Sequence, residues 1–335
     1  MRINISPGTK KTCQLNPCLL KTSASPSVLF CLPLCFPVHQ IYIALNRNLI
    51  VESLLLLVAL IWAFNFTVVK VTLDQVDPMS FNAMRFTIAT IFMVIVLLRR
   101  GQKLIIHKGD LKKIVLLGLL GNLAYQCLFI FGINFTFAAN AAVMLGTIPV
   151  WIALLGHFFF GEKLNRYKTA GVIFAFIGII LIMEGSEKGI TLASETIIGD
   201  LIILSSAFVF GLYTLYTKQM LSRYTPIQYT TLMMLTGGVA LIIAGMPWLI
   251  TLDWGGVTPM GWSGVFYSGF LSIGAAYMVW NYGIRQVGTI RTAAYQNLVP
   301  VFGLLFGIIL LNEHLFTLQY AGAASVITGI ILSRK

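Results

Sequence analysis

"PVWIALLGHFFFGEKL" occupies residues 149–164 and "PVFGLLFGIILLNEHL" occupies 300–315. Proline opens both, glutamate stands near the end of both, and leucine closes both, in one register. Pro149 and Pro300 lie 151 positions apart, as do Glu162 and Glu313. Apart from His157, the first run is apolar between its proline and its glutamate. A copy at fixed spacing marks an internal repeat, and the period extends along the chain. Shifted by 148, Glu52 falls on Asp200, Trp62 on Phe210, Lys70 on Lys218 and Pro78 on Pro226. Past the loop 99–113 the shift is 151, and Gly132 falls on Gly283, Gly171 on Gly322 and Gly178 on Gly329. One small insertion between apolar runs explains the change of shift.

The solvent of these runs follows from composition. Of 335 residues, 58% are hydrophobic and 10% charged, against about 25% charged in a water-soluble domain. Apolar runs cover about 50–69, 79–98, 114–133, 138–159, 167–184, 199–217, 227–247, 263–282, 289–311 and 317–333. Each approaches the roughly 20 residues that cross a bilayer as a helix. The expected fold is an all-α polytopic membrane protein, with ten transmembrane helices arranged as two inverted five-helix repeats.

A net charge of +12 raises the question of nucleic acid. The charge is sorted by side instead. The loops on the N-terminal side hold fifteen Lys and Arg without counting the N-terminal tail, among them Arg99, Arg100, Lys103, Lys112, Lys113, Lys163, Arg166 and Arg223. The opposite side holds Lys70 and Lys188, with Asp74, Asp77, Glu184, Glu187, Glu195 and Asp253. Basic loops stay in the cytoplasm, so both termini are expected there, in an inner or plasma membrane. The bilayer is the expected partner and no nucleic acid is.

Residues 1–48 read as a disordered or interfacial extension. "VLFCLPLCFPVHQIYIAL" (28–45) is apolar but interrupted by Pro33 and Pro37, lacks a small-residue cleavage site and lies too far in for a signal peptide. An over-extended reading frame with its true start near residue 50 is the alternative. Cys13, Cys18, Cys31 and Cys35 have no zinc-like spacing, and Cys127 lies in an apolar run. No disulfide framework, metal or cofactor is expected.

The halves, 50–184 and 199–335, flank an acidic linker at 185–198. Five spans is an odd number, so the second half enters the membrane upside down. Inverted repeats of this kind mark secondary transporters, with the substrate site near the midplane between them. "ALIWAFNFTVVK", "AANAAVMLGTIPVWIALLGHFFFGEKL" and "YMVWNYGIRQVGTIRTAAYQNLVPVFGLLFGIILLNEHL" resemble the paired EamA-type domains of the drug/metabolite transporter superfamily over residues 50–335. The second copy departs from the family pattern, with Asn312-Glu313-His314-Leu315 in place of Gly-Glu-Lys-Leu. The resemblance implies ten helices around a central cavity, lined mostly by the first, third and fourth helices of each half, and export of amino acids and other small metabolites.

Each proline strips a hydrogen bond from a carbonyl four residues earlier, at Leu145 and Gln296. Such a carbonyl is tolerated in a membrane beside protein, a polar side chain or a water-lined cavity. Pro149 and Pro300 are therefore expected to kink their helices and shape or gate a cavity wall; static packing kinks are the alternative. Candidate lining residues are Trp62, Asn65 and Phe66 on the first span, and Tyr125 and Gln126 with Asn122 on one face of the third. Asn140, Thr147 and Trp151 follow on the fourth and Tyr213 on the sixth. Tyr277, Trp280 and Asn281 lie on the eighth, and Tyr295, Gln296 and Asn297 on the ninth. The competing role for each is a helix-to-helix hydrogen bond. Arg85 lies inside the second span, about 9 Å from its end, while its repeat partner is Met233. It either holds a substrate carboxylate or phosphate, or reaches outward toward Asp77.

No acid lies mid-span, which disfavours organic cations as substrates. The reading is a secondary transporter of a small polar, amino-acid-like metabolite, working outward by alternating access; a homodimer is compatible with it. A flippase for lipids or lipid-linked sugars is the alternative. An integral-membrane enzyme is disfavoured because His39, His107, His157 and His314 are scattered.

Overall fold

The computed structural model describes residues 38–136, 141, 144–161, 163–184, 197–311 and 316–333. Asn140, Glu162, Glu313, residues 1–37 and most of the linker, 185–196, lie outside this set. The chain divides into two compact units, Met1–Tyr42 and Ile43–Lys335. The first contributes residues 38–42, which are helical and open α1; the contacts described below lie within the second.

The described residues hold helices and no strand. Helix α1 is Val38–Leu73, so it starts well before the expected position 50, and α2 is Pro78–Arg99. Helix α3 (111–134) consists of Leu111–Gly118, a π-helical stretch Leu119–Ala124, and Tyr125–Asn134. Helices α4 and α5 are Ile148–Phe160 and Arg166–Glu184, and α6 is Ile197–Met220. Helix α7 (226–251) has a π-helical stretch at Met234–Gly238, and α8 (259–287) has one at Ser268–Ala275. Helix α9 (289–311) passes through a 3-10 turn at Tyr295–Asn297, and α10 is Thr317–Ser333. Six of the described helices are long and apolar enough to cross a membrane, so this is a polytopic all-α membrane protein.

Local chemistry sets several helix starts. Asp77 accepts from the backbone N–H groups of Met79 and Ser80 ahead of Pro78, and Thr225 and Gln228 form a reciprocal capping box around Pro226. Proline fits the first helical position because its missing N–H would find no helical partner there. The lateral pattern is that of a bilayer. On α2, Ile91 and Leu98 are 55% and 68% exposed, while Ser80, Asn82 and Arg85 are buried. Polar groups avoid hydrocarbon by turning inward, so in this protein polarity marks the interior.

The two halves meet reciprocally. A Cβ on Gly171 would stand 2.6 Å from the Gly329 carbonyl oxygen, and one on Gly178 2.6 Å from that of Gly322. Gly171 and Gly322 are repeat equivalents, and so are Gly178 and Gly329. Helices α5 and α10 are thus antiparallel and make a contact of the kind a two-fold axis produces, each partner presenting the same patch. Only glycine allows backbones this close. The π-helical stretches of α3 and α8 obey the same relation, since a shift of 151 carries 119–124 onto 270–275.

Candidate functional site

A cavity of about 410 Å³ lies between the halves. Its wall includes Trp62, Asn65, Arg85, Tyr125, Gln126 and Tyr277, together with Gln296 and Pro300. Phe129, Leu145, Ile179, Met183, Phe210 and Val299 supply the apolar remainder. Arg85 is the single charged residue of the described lining.

Both prolines stand just after an irregularity in their helices. The fourth span is interrupted at Thr147, and Pro149 stands in the first turn of the new helix Ile148–Phe160. Pro300 likewise stands in the first turn of Leu298–Leu311, just after the 3-10 turn. Each proline restarts a broken helix where its missing N–H costs least. Leu145 and Gly146, just before the first break, and Gln296, within the second, line the cavity. Interrupted backbone inside a membrane belongs in such a place.

Arg85 does not reach outward. Asp77 is occupied capping α2, and the buried guanidinium turns into the protein. Its Nη2 donates to Gln126 Oε1 at 2.7 Å, its Nη1 to Ser268 Oγ at 3.4 Å, and it lies 5.0 Å from the Phe81 ring centre. Its Nε has no hydrogen-bond partner. Among the described residues no carboxylate pairs with it. Gln126 Nε2 in turn donates to Tyr277 Oη at 3.0 Å. Gln126 and Tyr277 are 151 positions apart, so this bond joins repeat equivalents across the pseudo-two-fold axis. The axis runs through the polar centre of the cavity. Asn65 Oδ1 and Gln296 Oε1 are also buried without a partner.

Other candidates stand elsewhere. Asn281 Nδ2 donates to Thr230 Oγ1 at 2.8 Å, tying α8 to α7, and Thr147 Oγ1 donates to the Met144 carbonyl at 2.5 Å. Trp280 packs beneath the lining residue Trp62, with ring centres 5.1 Å apart. Tyr213 lies against Gly121, and Tyr295 is buried away from the lining. Asn122 leaves the expected shared face and donates to the Met233 carbonyl at 2.8 Å. The π-helical stretch Leu119–Ala124, which contains Asn122, accounts for this, because its wider turn breaks 3.6-residue spacing. The side chain of Phe66 lies outside the described set. Phe129, Ile179 and Met183 carry no sequence signal that separates cavity lining from ordinary core.

The cavity is asymmetric along the helices. Its lining reaches Val69, Ile133 and Met183, close to the C-terminal ends of α1, α3 and α5. Toward the other face, Trp62, Phe210 and Trp280 close together, with Phe210 and Tyr213 ring centres 5.9 Å apart. Beyond them an ion pair joins Glu52 on α1 to Arg291 on α9. At the same face Arg223 bridges Asp110 at 3.1 Å, and Tyr224 Oη donates to Asp110 while accepting from the His107 N–H. Burial raises the Asp110 carboxyl, but the hydrogen bond and charge of Arg223, with Tyr224 and Lys113, outweigh it and hold the group below its ordinary range.

Comparison with known proteins agrees with this architecture. The pattern described as EamA-like transporter family matches residues 49–184 and again 197–334. "Uncharacterized transporter YoaV" of Bacillus subtilis is 26% identical over 278 residues, covering 82% of this chain and 94% of its own. "Probable amino-acid metabolite efflux pump" of Escherichia coli is 27% identical, covering 84% and 93%. A solved crystal structure at 17% identity superposes with a TM-score of 0.72, covering 83% of this chain and 94% of its own, which shows the shared fold.

Proposed function

The chain belongs to the EamA-like transporter family, and from that membership we propose that it is an efflux carrier for small carboxylate-bearing metabolites of the amino-acid type. The observation that carries the reading is Arg85, a buried guanidinium that faces the cavity without a counter-charge among the described residues. An arginine within a bilayer costs about 2.5–3.5 kcal/mol on insertion scales. A carboxylate ligand offsets that cost and matches the planar fork of the guanidinium. The partnerless carbonyl oxygens of Asn65 and Gln296 are acceptors suited to an ammonium group in the same cavity. The relative named as an amino-acid metabolite efflux pump points to the same class and direction.

Transport proceeds by alternating access between two inverted five-helix halves. In this reading the closed face, with its Glu52–Arg291 pair, is the cytoplasmic one, which the excess of Lys and Arg in its loops supports. The cavity then reaches toward the outer side, as in a carrier poised after release. The test is untargeted metabolite profiling of medium and cytoplasm from cells with and without the protein. A small set of related carboxylates enriched outside is expected. Enrichment confined to lipids or to cations overturns the proposal.

A further inference from the structure

The chain Arg85–Gln126–Tyr277 has a direction, and that direction has a consequence for selectivity. Arginine can only donate, so the amide oxygen of Gln126 must face it. The amide nitrogen then faces Tyr277 and donates to its oxygen, as the 2.7 Å and 3.0 Å contacts show. Tyr277 Oη is thereby used as an acceptor. Its own proton has no acceptor among the described residues, and the ring lines the cavity. Arg85 similarly keeps Nε–H unmet. Both ends of the relay therefore offer donors, one charged and one neutral, with a neutral amide fixing them from behind.

Resting on the carboxylate reading above, we propose that Gln126 is the positioning residue that sets the charge selectivity of the site, and that Tyr277 is a direct ligand of the substrate carboxylate alongside Arg85. The amide has two properties no other side chain of similar shape combines. It satisfies part of the guanidinium without neutralising it, and it turns the Tyr277 proton away from itself. Glutamate at position 126 has the same shape and reverses both. Its carboxylate pairs with Arg85 inside the site and accepts the Tyr277 proton, so an incoming carboxylate meets no free charge and no hydroxyl donor. The Coulomb term is large in a poorly solvated cavity. The relay also lies where the repeats differ, since Gln126 and Tyr277 are each other's equivalents and Arg85 answers to Met233.

The experiment measures exchange in proteoliposomes with matched probes, leucine against leucinamide and phenylalanine against phenylalaninamide. Wild type, Arg85→Met, Gln126→Glu and Tyr277→Phe are compared, and the readout is the ratio of acid to amide transport. Wild type is expected to favour the acid at least tenfold. Gln126→Glu is expected to lower that ratio more than tenfold while amide transport persists, which a general structural defect does not produce. Tyr277→Phe, which keeps the ring, is expected to lower the ratio about threefold to tenfold and serves if Gln126→Glu does not fold. A wild-type ratio near one overturns the carboxylate reading itself. A high wild-type ratio, lost in Arg85→Met but kept in both other variants, overturns the relay alone.

Discussion

The two halves share a scaffold and not a chemistry. Where they meet as structure, equivalent residues are alike: Gly171 with Gly322, Gly178 with Gly329, Pro149 with Pro300, and the π-helical stretches of α3 and α8. At the cavity, lining residues differ from their repeat equivalents: Arg85 from Met233, Gln126 from Tyr277, Asn65 from Tyr213, Trp62 from Phe210. Backbone geometry can be used twice by an inverted repeat, because both halves must move in the same way. A small asymmetric ligand has one charged end and cannot be matched by two identical half-sites. Symmetric positions are therefore predicted to govern folding, and asymmetric positions to govern transport.

The comparison breaks most readily at the glycine crossing. Gly178→Leu inserts a side chain where even a Cβ meets backbone at 2.6 Å. Overpacking costs about 1–3 kcal/mol in a tolerant site and here has no flexible neighbour to displace, so loss of the monodisperse folded protein in detergent chromatography is expected. Next in size is Arg85→Met, expected to abolish carboxylate efflux while leaving folded yield unchanged. A matching loss of yield would move Arg85 into the scaffold class.

Two asparagines sharpen the distinction at smaller amplitude. Asn281→Ala removes the bond to Thr230 and is expected to cost about 0.6–2 kcal/mol of stability, read as a lower melting temperature with unchanged substrate affinity. Asn65→Ala is expected to do the reverse, weakening apparent affinity several-fold with little change in melting. The smallest effect concerns the closed face. The Asp110 carboxyl is held below its ordinary range by Arg223 and Tyr224. Its stabilisation is complete at neutral pH and fades only as pH falls through the lowered native value, below about pH 4. The melting difference between wild type and Asp110→Asn should be constant from pH 7 to 5 and shrink in stronger acid.

The fold was largely legible because a bilayer leaves few options. Apolar runs of spanning length, basic loops on one side and a 151-residue period each constrain the same architecture. The end of α10 at Ser333 and the start of α2 at Pro78 fall within a residue of the expected spans. Helix α1 departs, since it continues back to Val38 through a stretch whose polar and basic residues do not resemble a membrane span. The site was legible in part. Polar residue type selected Trp62, Asn65, Arg85, Tyr125, Gln126, Tyr277 and Gln296, all of which line the cavity. It also selected Asn281, Thr147 and Asn122, which bond to other helices or to their own backbone. A uniform 3.6-residue period cannot tell these groups apart when π-helical and 3-10 turns change the phase inside the span. The apolar wall was illegible for a simpler reason: Phe129 and Met183 look like any core residue.

The most direct test of the central claim is exchange of an amino-acid mixture by purified protein in proteoliposomes, wild type against Arg85→Met. The account predicts that wild type exchanges neutral amino acids and that Arg85→Met, equally well folded, does not. Equal exchange by the two proteins would contradict it.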